Sequence, residues 1–214
     1  MSVINCIWDF DGTLFDTYPY ICDALTEALA ERGFGACRTE MMYHMLETIG
    51  NANNFYADRF GIDRRELSGR VSEIRTQNGL KALPFEGAKE ALLAVIDHGG
   101  RNFMFSHSSK STICEYFDRH GFTPLFTEIV TCHDNGFAYK PSPDAINYLI
   151  DAYSMDKATT VMIGDRDLDL ASGRNAGVLT CHFPCPIAPQ ILKADFKLKS
   201  LGDITDMLDK LAKQ

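Results

Sequence analysis

The stretch WDFDGTLFDT, residues 8–17, sets Asp9 and Asp11 one residue apart at the end of the apolar run 3–8, then turns on Gly12 and Thr13. The run reads as a buried strand. Ending it in two carboxylates places like charges at the rim of a core. Two carboxylates about 4 Å apart repel by about 1 kcal/mol in water and about 4 kcal/mol at an effective dielectric of 20. Such a pair implies a positive partner.

Downstream, residues 17–83 carry only helical signals. Pro19 suits a first turn, Ile21, Leu25, Ala28 and Leu29 recur at helical spacing, and Gly33 stops the run. Further helices are expected near 39–48 and 53–60. A last one is expected from Asp63, with Glu66 completing a capping box, to about Gln77. From Pro84 onward strands and helices alternate. Strands are expected at 102–105, 128–130, 160–163 and 178–181, and helices at 88–96, 111–120, 146–153, 167–176 and 204–211; 131–134 reads as a loop. Alternation of this kind predicts an α/β fold, a Rossmann-like, doubly wound parallel sheet. The expected organisation is a core domain of residues 1–16 and 84–214 with a small all-α domain, 17–83, inserted after the first strand.

Composition excludes several classes. The chain has 214 residues, 45% hydrophobic and 23% charged, which suits a soluble globular protein. No apolar run approaches the ~20 residues of a membrane span, and no basic flank marks a signal peptide, so no membrane association and a cytoplasmic location are expected. Seven cysteines without regular spacing are expected to be reduced thiols. Cys181, His182 and Cys185 lack the second cluster a zinc site needs. The net charge of −8 argues against nucleic-acid binding. Nothing in the sequence indicates an oligomer, so a monomer is the default.

In open parallel sheets, ligands bind beyond the carboxyl ends of the strands. Those ends carry Asp9 and Asp11, then Ser106-His107-Ser108, then Gly164-Asp165 with Asp167 and Asp169 beyond. Lys140 lies in the loop before the helix at 146. Asp9, Asp11 and Asp165 are expected to form one carboxylate cluster. Its repulsion would be relieved by a hard divalent cation, and oxygen-only ligands favour Mg²⁺. The cation and Lys140 would give an acidic protein a local socket for phosphate.

DFDGTLFD, the strand ending in Ser106, Lys140 in KPSPD, and GDRDLD together resemble the four motifs of the haloacid dehalogenase superfamily. The likeness is to its phosphoglycolate-phosphatase-like and β-phosphoglucomutase-like branch, with a helical cap after the first motif. The resemblance implies Asp9 as nucleophile, forming an aspartyl-phosphate. It implies Asp11 as the acid that protonates the leaving oxygen and then the base that activates water. Mg²⁺ would be held by the Asp9 carboxylate, the Asp11 carbonyl and Asp165, with Asp169 rather than Asp167 in support. Ser106, His107, Gly12, Thr13 and Lys140 would contact the phosphorylated substrate, Lys140 also neutralising charge on Asp9. Asp11 separates phosphotransferases from dehalogenases, which have no alkoxide to protonate.

The implied activity is Mg²⁺-dependent hydrolysis of a small phosphorylated metabolite. The alternatives are a sugar-phosphate mutase and a non-catalytic binding module. The mutases usually carry a histidine a few residues after the Asp-Thr that opens the cap. Here Ile21 stands in that place, which favours water as acceptor. A binding module would need neither Asp9 nor its acid partner. Tyr18, Tyr20 and a loop at 47–54 are expected to select the substrate.

Overall fold

The computed structural model describes residues 3–185 and 193–213. Six parallel strands form one sheet: β1 (Asn5–Trp8), β2 (Arg101–Ser106), β3 (Glu128–Thr131), β4 (Thr160–Gly164), β5 (Leu179–His182) and β6 (Phe196–Lys197). Their spatial order is β3-β2-β1-β4-β5-β6, so the direction of winding reverses between β1 and β4. All four residues of β1 are buried, as expected of a parallel strand covered on both faces. In register, Trp8 lies beside Met104 on one side and Ile163 on the other. The two strand ends that carry Asp9 and Asp165 are therefore neighbours.

The chain divides into two compact units, residues 16–83 and residues 1–15 with 84–214. The first consists of four helices, α1 (Tyr18–Ala30), α2 (Arg38–Glu47), α3 (Ile49–Phe60) and α4 (Arg64–Gln77). Asp63 caps α4 by accepting the Arg65 and Glu66 N–H groups at 2.9 and 3.0 Å. The expected reciprocal bond from Glu66 does not form; its carboxylate is taken by Arg32 at 2.7 Å. Residues 47–54 are not a loop. Thr48 breaks the chain direction for one residue, and its Oγ1 accepts the Asn51 N–H at 3.1 Å to start α3. Tyr18 is buried and Tyr20 is half-buried.

In the second unit, α5 (Ala88–Asp97), α6 (Lys110–His120), α7 (Cys132–Asn135), α8 (Asp144–Tyr153), α9 (Asp167–Ala176) and α10 (Ile204–Leu211) accompany the sheet. Ala145, Ile146 and Leu149 of α8 pack with Phe103, Phe105, Val130 and Met162 of the sheet in one buried cluster. Each large apolar side chain removed from water in this cluster contributes about 1.5–3 kcal/mol to the packing of α8 on the sheet. Two short elements depart from expectation. Residues 132–135 are a helical turn rather than a loop, and β6 extends the sheet at an edge. Thr131 starts the turn, its Oγ1 accepting the Asp134 N–H at 3.1 Å.

Candidate active site

The site starts where β1 ends. The Asp9 N–H donates to the Ile163 carbonyl at 2.9 Å, the last ladder bond before the chains separate. Gly12 then takes a positive φ of 78°, a conformation glycine adopts without a Cβ penalty. Its N–H donates to the Phe15 carbonyl at 2.9 Å, closing the turn. This turn carries Asp11 toward β2, where its Oδ2 accepts the Ser108 hydroxyl at 2.6 Å. Asp9 and Asp11 are both buried, at 0% and 2% exposure.

From the other side of the switch, β4 ends in Gly164 and Asp165, and α9 begins. Asp169 stands in the first turn of α9, and its Oδ2 accepts the Arg166 N–H at 3.0 Å, the reciprocal half of a capping box. That bond aims Asp169 back at the sheet. Gly164 makes room for it, since a Cβ there would lie 2.8 Å from the Asp169 carboxyl carbon. Asp167, one turn face away, is exposed and pairs with Arg174 at 2.9 Å.

Asp9, Asp165 and Asp169 thus converge, with one oxygen from each lying within 4.8 Å of the others. The expected trio of Asp9, Asp11 and Asp165 is corrected by one member. The third carboxylate of the cluster is that of Asp169, expected only in support, while the Asp11 carboxylate accepts the Ser108 hydroxyl. At that spacing each pair of charged carboxylates repels by about 3–4 kcal/mol at an effective dielectric of 20. Two buried cations oppose this. Lys140 Nζ lies 2.7 Å from Asp9 Oδ1 and 2.9 Å from Asp169 Oδ1, with its side chain fully enclosed and seated 4.8 Å above the Phe105 ring. Arg166 Nη2 lies 3.2 Å from Asp9 Oδ2, and its Nε lies 3.5 Å from Asp169 and 3.8 Å from Asp165. Arg166 is the residue the sequence did not single out. A guanidinium one position past a strand-end aspartate is its only local sign.

Burial and the neighbouring Asp169 charge push the Asp9 carboxyl up to about 6, against the pull of Lys140 and Arg166. For Asp169 burial acts in the same direction, but Lys140 and Arg166 outweigh it and hold the carboxyl below its ordinary value. Burial works to lower Lys140, yet Asp169 and Asp9 more than offset it, so its ammonium is held above the usual lysine range. Burial and the two cations push His107 down to about 3, so its imidazole is neutral.

The residues expected to contact substrate also bond within the protein. His107 Nε2 accepts the Lys140 backbone N–H at 2.8 Å, which takes one ring nitrogen out of ligand binding and fixes the loop that delivers Lys140. Thr13 Oγ1 donates to Asp165 Oδ1 at 3.3 Å and is buried. Ser106, at the end of β2, is buried and its Oγ accepts the Ser108 N–H at 3.0 Å. Cys181 and Cys185 are buried, and His182 Nε2 lies 3.3 Å from the Asp165 carbonyl.

The donor set fits a hard divalent cation. All three converging ligands are carboxylates, and their three negative charges exceed the two charges of Lys140 and Arg166. Among the described residues no helix is long and apolar enough to cross a membrane.

A buried acid–cation cluster at the switch point of an open parallel sheet marks the class, a doubly wound α/β protein with its chemistry at the strand carboxyl ends. The family model described as haloacid dehalogenase-like hydrolase matches residues 6–183, and the chain belongs to that family. A pyrophosphatase PpaX from Listeria monocytogenes is 26% identical over 215 residues, covering 95% of each chain. A phosphoglycolate phosphatase from Vibrio parahaemolyticus is 23% identical over 186 residues, 79% of this chain and 78% of the relative. A crystal structure described as a predicted phosphoglycolate phosphatase from Haemophilus somnus superposes with a TM-score of 0.83 at 16% identity, covering 97% and 98% of the two chains; this is a likeness of fold.

Proposed function

We propose that the protein is a Mg²⁺-dependent phosphatase that hydrolyses a small phosphorylated metabolite through an aspartyl-phosphate on Asp9. The observation that carries this is the buried Asp9 carboxylate, bonded by Lys140 at 2.7 Å, with Asp11 two residues on and anchored by Ser108 at 2.6 Å. A carboxylate pair of this kind serves two different roles.

In the first step an Asp9 carboxylate oxygen forms a bond to phosphorus and the ester P–O bond breaks. The departing oxygen takes the proton of the Asp11 carboxyl, and the Ser108 hydroxyl keeps that carboxyl oriented toward the leaving group. In the second step Asp11, now a carboxylate, accepts a proton from water. The water oxygen attacks phosphorus, the bond to Asp9 breaks, and inorganic phosphate leaves with Asp9 restored. Lys140 holds Asp9 through both steps and offsets charge on the transferring group. Ser106, at the end of β2, offers a hydroxyl to the phosphoryl oxygens. Asp9, Asp165 and Asp169, with the Asp11 carbonyl, would hold Mg²⁺, which supplies positive charge against the phosphoryl oxygens when bound.

The names of the relatives bring phosphoglycolate and pyrophosphate forward as first substrates to test. The helical unit 16–83 is assigned the role of a cap that selects among them. Phosphate release from these compounds, from sugar phosphates and from an aryl phosphate is measured with Mg²⁺ and with chelator, in wild type and Asp9→Asn. The expected result is release that requires Mg²⁺ and is abolished by Asp9→Asn. Release that survives in Asp9→Asn would refute Asp9 as nucleophile. Conversion of a sugar phosphate to its isomer without net phosphate release would identify a mutase instead.

A further inference from the structure

The three carboxylates that converge on the candidate metal position are the same three that Arg166 touches. Its guanidinium spans Asp9 Oδ2 at 3.2 Å, Asp169 Oδ2 at 3.5 Å and Asp165 Oδ1 at 3.8 Å, with the side chain only 3% exposed. Lys140 behaves differently. It makes two short bonds, to Asp9 Oδ1 and Asp169 Oδ1. Lys140 is thus bonded to one side of the cluster, while the Arg166 guanidinium reaches all three acids at longer range. Charge-assisted bonds from a guanidinium are ordinarily about 2.7–2.9 Å and often paired. The three Arg166 ion pairs to these acids, at 3.2, 3.5 and 3.8 Å, are longer than that.

We infer that Arg166 is an internal counter-cation that occupies the carboxylate cluster in the metal-free protein and is expelled when a divalent cation loads. The inference rests on the metal reading proposed above. Charge arithmetic supports an exchange rather than a joint occupancy. Three carboxylates with Lys140 and Arg166 sum to −1. Adding a dication without moving Arg166 gives +1 and puts like charges within one small cage. Replacing the guanidinium by the dication gives neutrality. The exchange is also mechanically simple. The Arg166 backbone N–H stays bonded to Asp169 Oδ2 at 3.0 Å, so Asp169 keeps its aim while only the side chain swings away.

Two consequences follow. Metal affinity is reduced by the fraction of molecules in which the guanidinium is in place, as for any ligand whose competent state is only partly populated. The metal-free protein, in turn, is protected from the repulsion of three unshielded acids. Arg166 therefore lowers metal affinity while raising metal-free stability. A residue that supported the metal would not have this pair of opposite effects.

The test is binding of Mn²⁺ by calorimetry or electron paramagnetic resonance to wild type, Arg166→Met and Arg166→Lys, with melting curves in chelator and in saturating Mg²⁺. Neither readout requires turnover. Arg166→Met is expected to bind Mn²⁺ at least 5-fold more tightly than wild type, to melt lower in chelator, and to show the larger rise in melting temperature on adding Mg²⁺. Arg166→Lys keeps the charge on a shorter, narrower head and is expected to fall between them. It carries the comparison alone if the methionine variant does not fold. Equal or weaker Mn²⁺ binding by the variants, with binding by wild type intact, would overturn the inference and leave the metal reading standing. Absence of Mn²⁺ binding by all three folded proteins would overturn both.

Discussion

Replacing Lys140 by methionine removes the charge but nearly keeps the volume, so the outcome isolates the ammonium. In the metal-free protein Lys140 lies 2.7 Å from Asp9 and 2.9 Å from Asp169, all three side chains being almost fully enclosed. At an effective dielectric of 20 each contact is worth about 6 kcal/mol of attraction, set against several kcal/mol for stripping water from the ammonium. Removing one partner of such a buried set generally costs about 3–5 kcal/mol, because the remaining charges lose their compensation. Spread over a domain of this size, that corresponds to a fall in melting temperature of about 6–20 °C.

The pH dependence of this deficit has a definite sign. Asp9 is already raised to about 6 by burial and by Asp169, and Lys140 is one of the groups pulling it down. Without Lys140 the Asp9 carboxyl rises further. As pH falls from 8 toward 6, the variant takes up a proton on Asp9 before the wild type does, and its deficit shrinks by at most about 1.4 kcal/mol per pH unit. Below about 6 both proteins carry the proton and the difference levels off. Urea unfolding of Lys140→Met and wild type in chelator at pH 5.5, 6.5 and 8 checks this. A deficit below about 1 kcal/mol at pH 8 would refute the reasoning, given that Lys140 is the nearest cation to two buried acids. So would a deficit that grows as pH falls.

Gly164→Ala puts a methyl group 2.8 Å from the Asp169 carboxyl carbon; overpacking of about 1–3 kcal/mol is expected, with Mg²⁺-dependent activity falling more steeply than stability, measured by kinetics beside melting curves. His107 is neutral in the folded state, with a pKa of about 3 set by burial, Lys140 and Arg166, against an unfolded value of 6.5. Its contribution is complete above pH 6.5 and is lost as pH falls below it, by up to about 1.4 kcal/mol per pH unit. His107→Gln offers an oxygen acceptor to the Lys140 N–H without titrating, so its stability should decline less steeply between pH 6.5 and 4.5 in parallel denaturant titrations. Asp63→Ala removes the acceptor of two N–H groups at the start of α4; about 1 kcal/mol of stability should be lost, with catalysis unchanged in the same preparation.

What the sequence made legible follows from which interactions are local. The strand ending at Trp8, the turn at Gly12 and the first helical turn at 167–169 are local devices, and their residues stand in readable order. The neighbouring of β1 and β4 follows from one rule about doubly wound sheets, and with it comes the meeting of Asp9 with Asp165. Membership of the acid cluster does not follow from order. The Asp11 carboxylate accepts the hydroxyl of Ser108, nearly a hundred positions away, while a capping bond inside α9 turns Asp169 inward. Arg166 is the clearest case. Read locally, a basic residue among aspartates at a helix start is a solvated side chain. Only the placement of β1 beside β4 gives its guanidinium three carboxylates and almost no water. The segment at 47–54 shows the opposite limit. Its glycine and asparagines read as a loop, yet one threonine cap and a bond from Asn51 to Glu47 at 2.8 Å suffice to carry helix through them. Elements as short as α7 and β6 fall below the length at which periodicity carries any signal. The same distinction bears on the exchange assigned to Arg166. The guanidinium owes its three acidic neighbours to tertiary placement, and a dication that changes the charge of that cluster acts directly on the contacts that surround it.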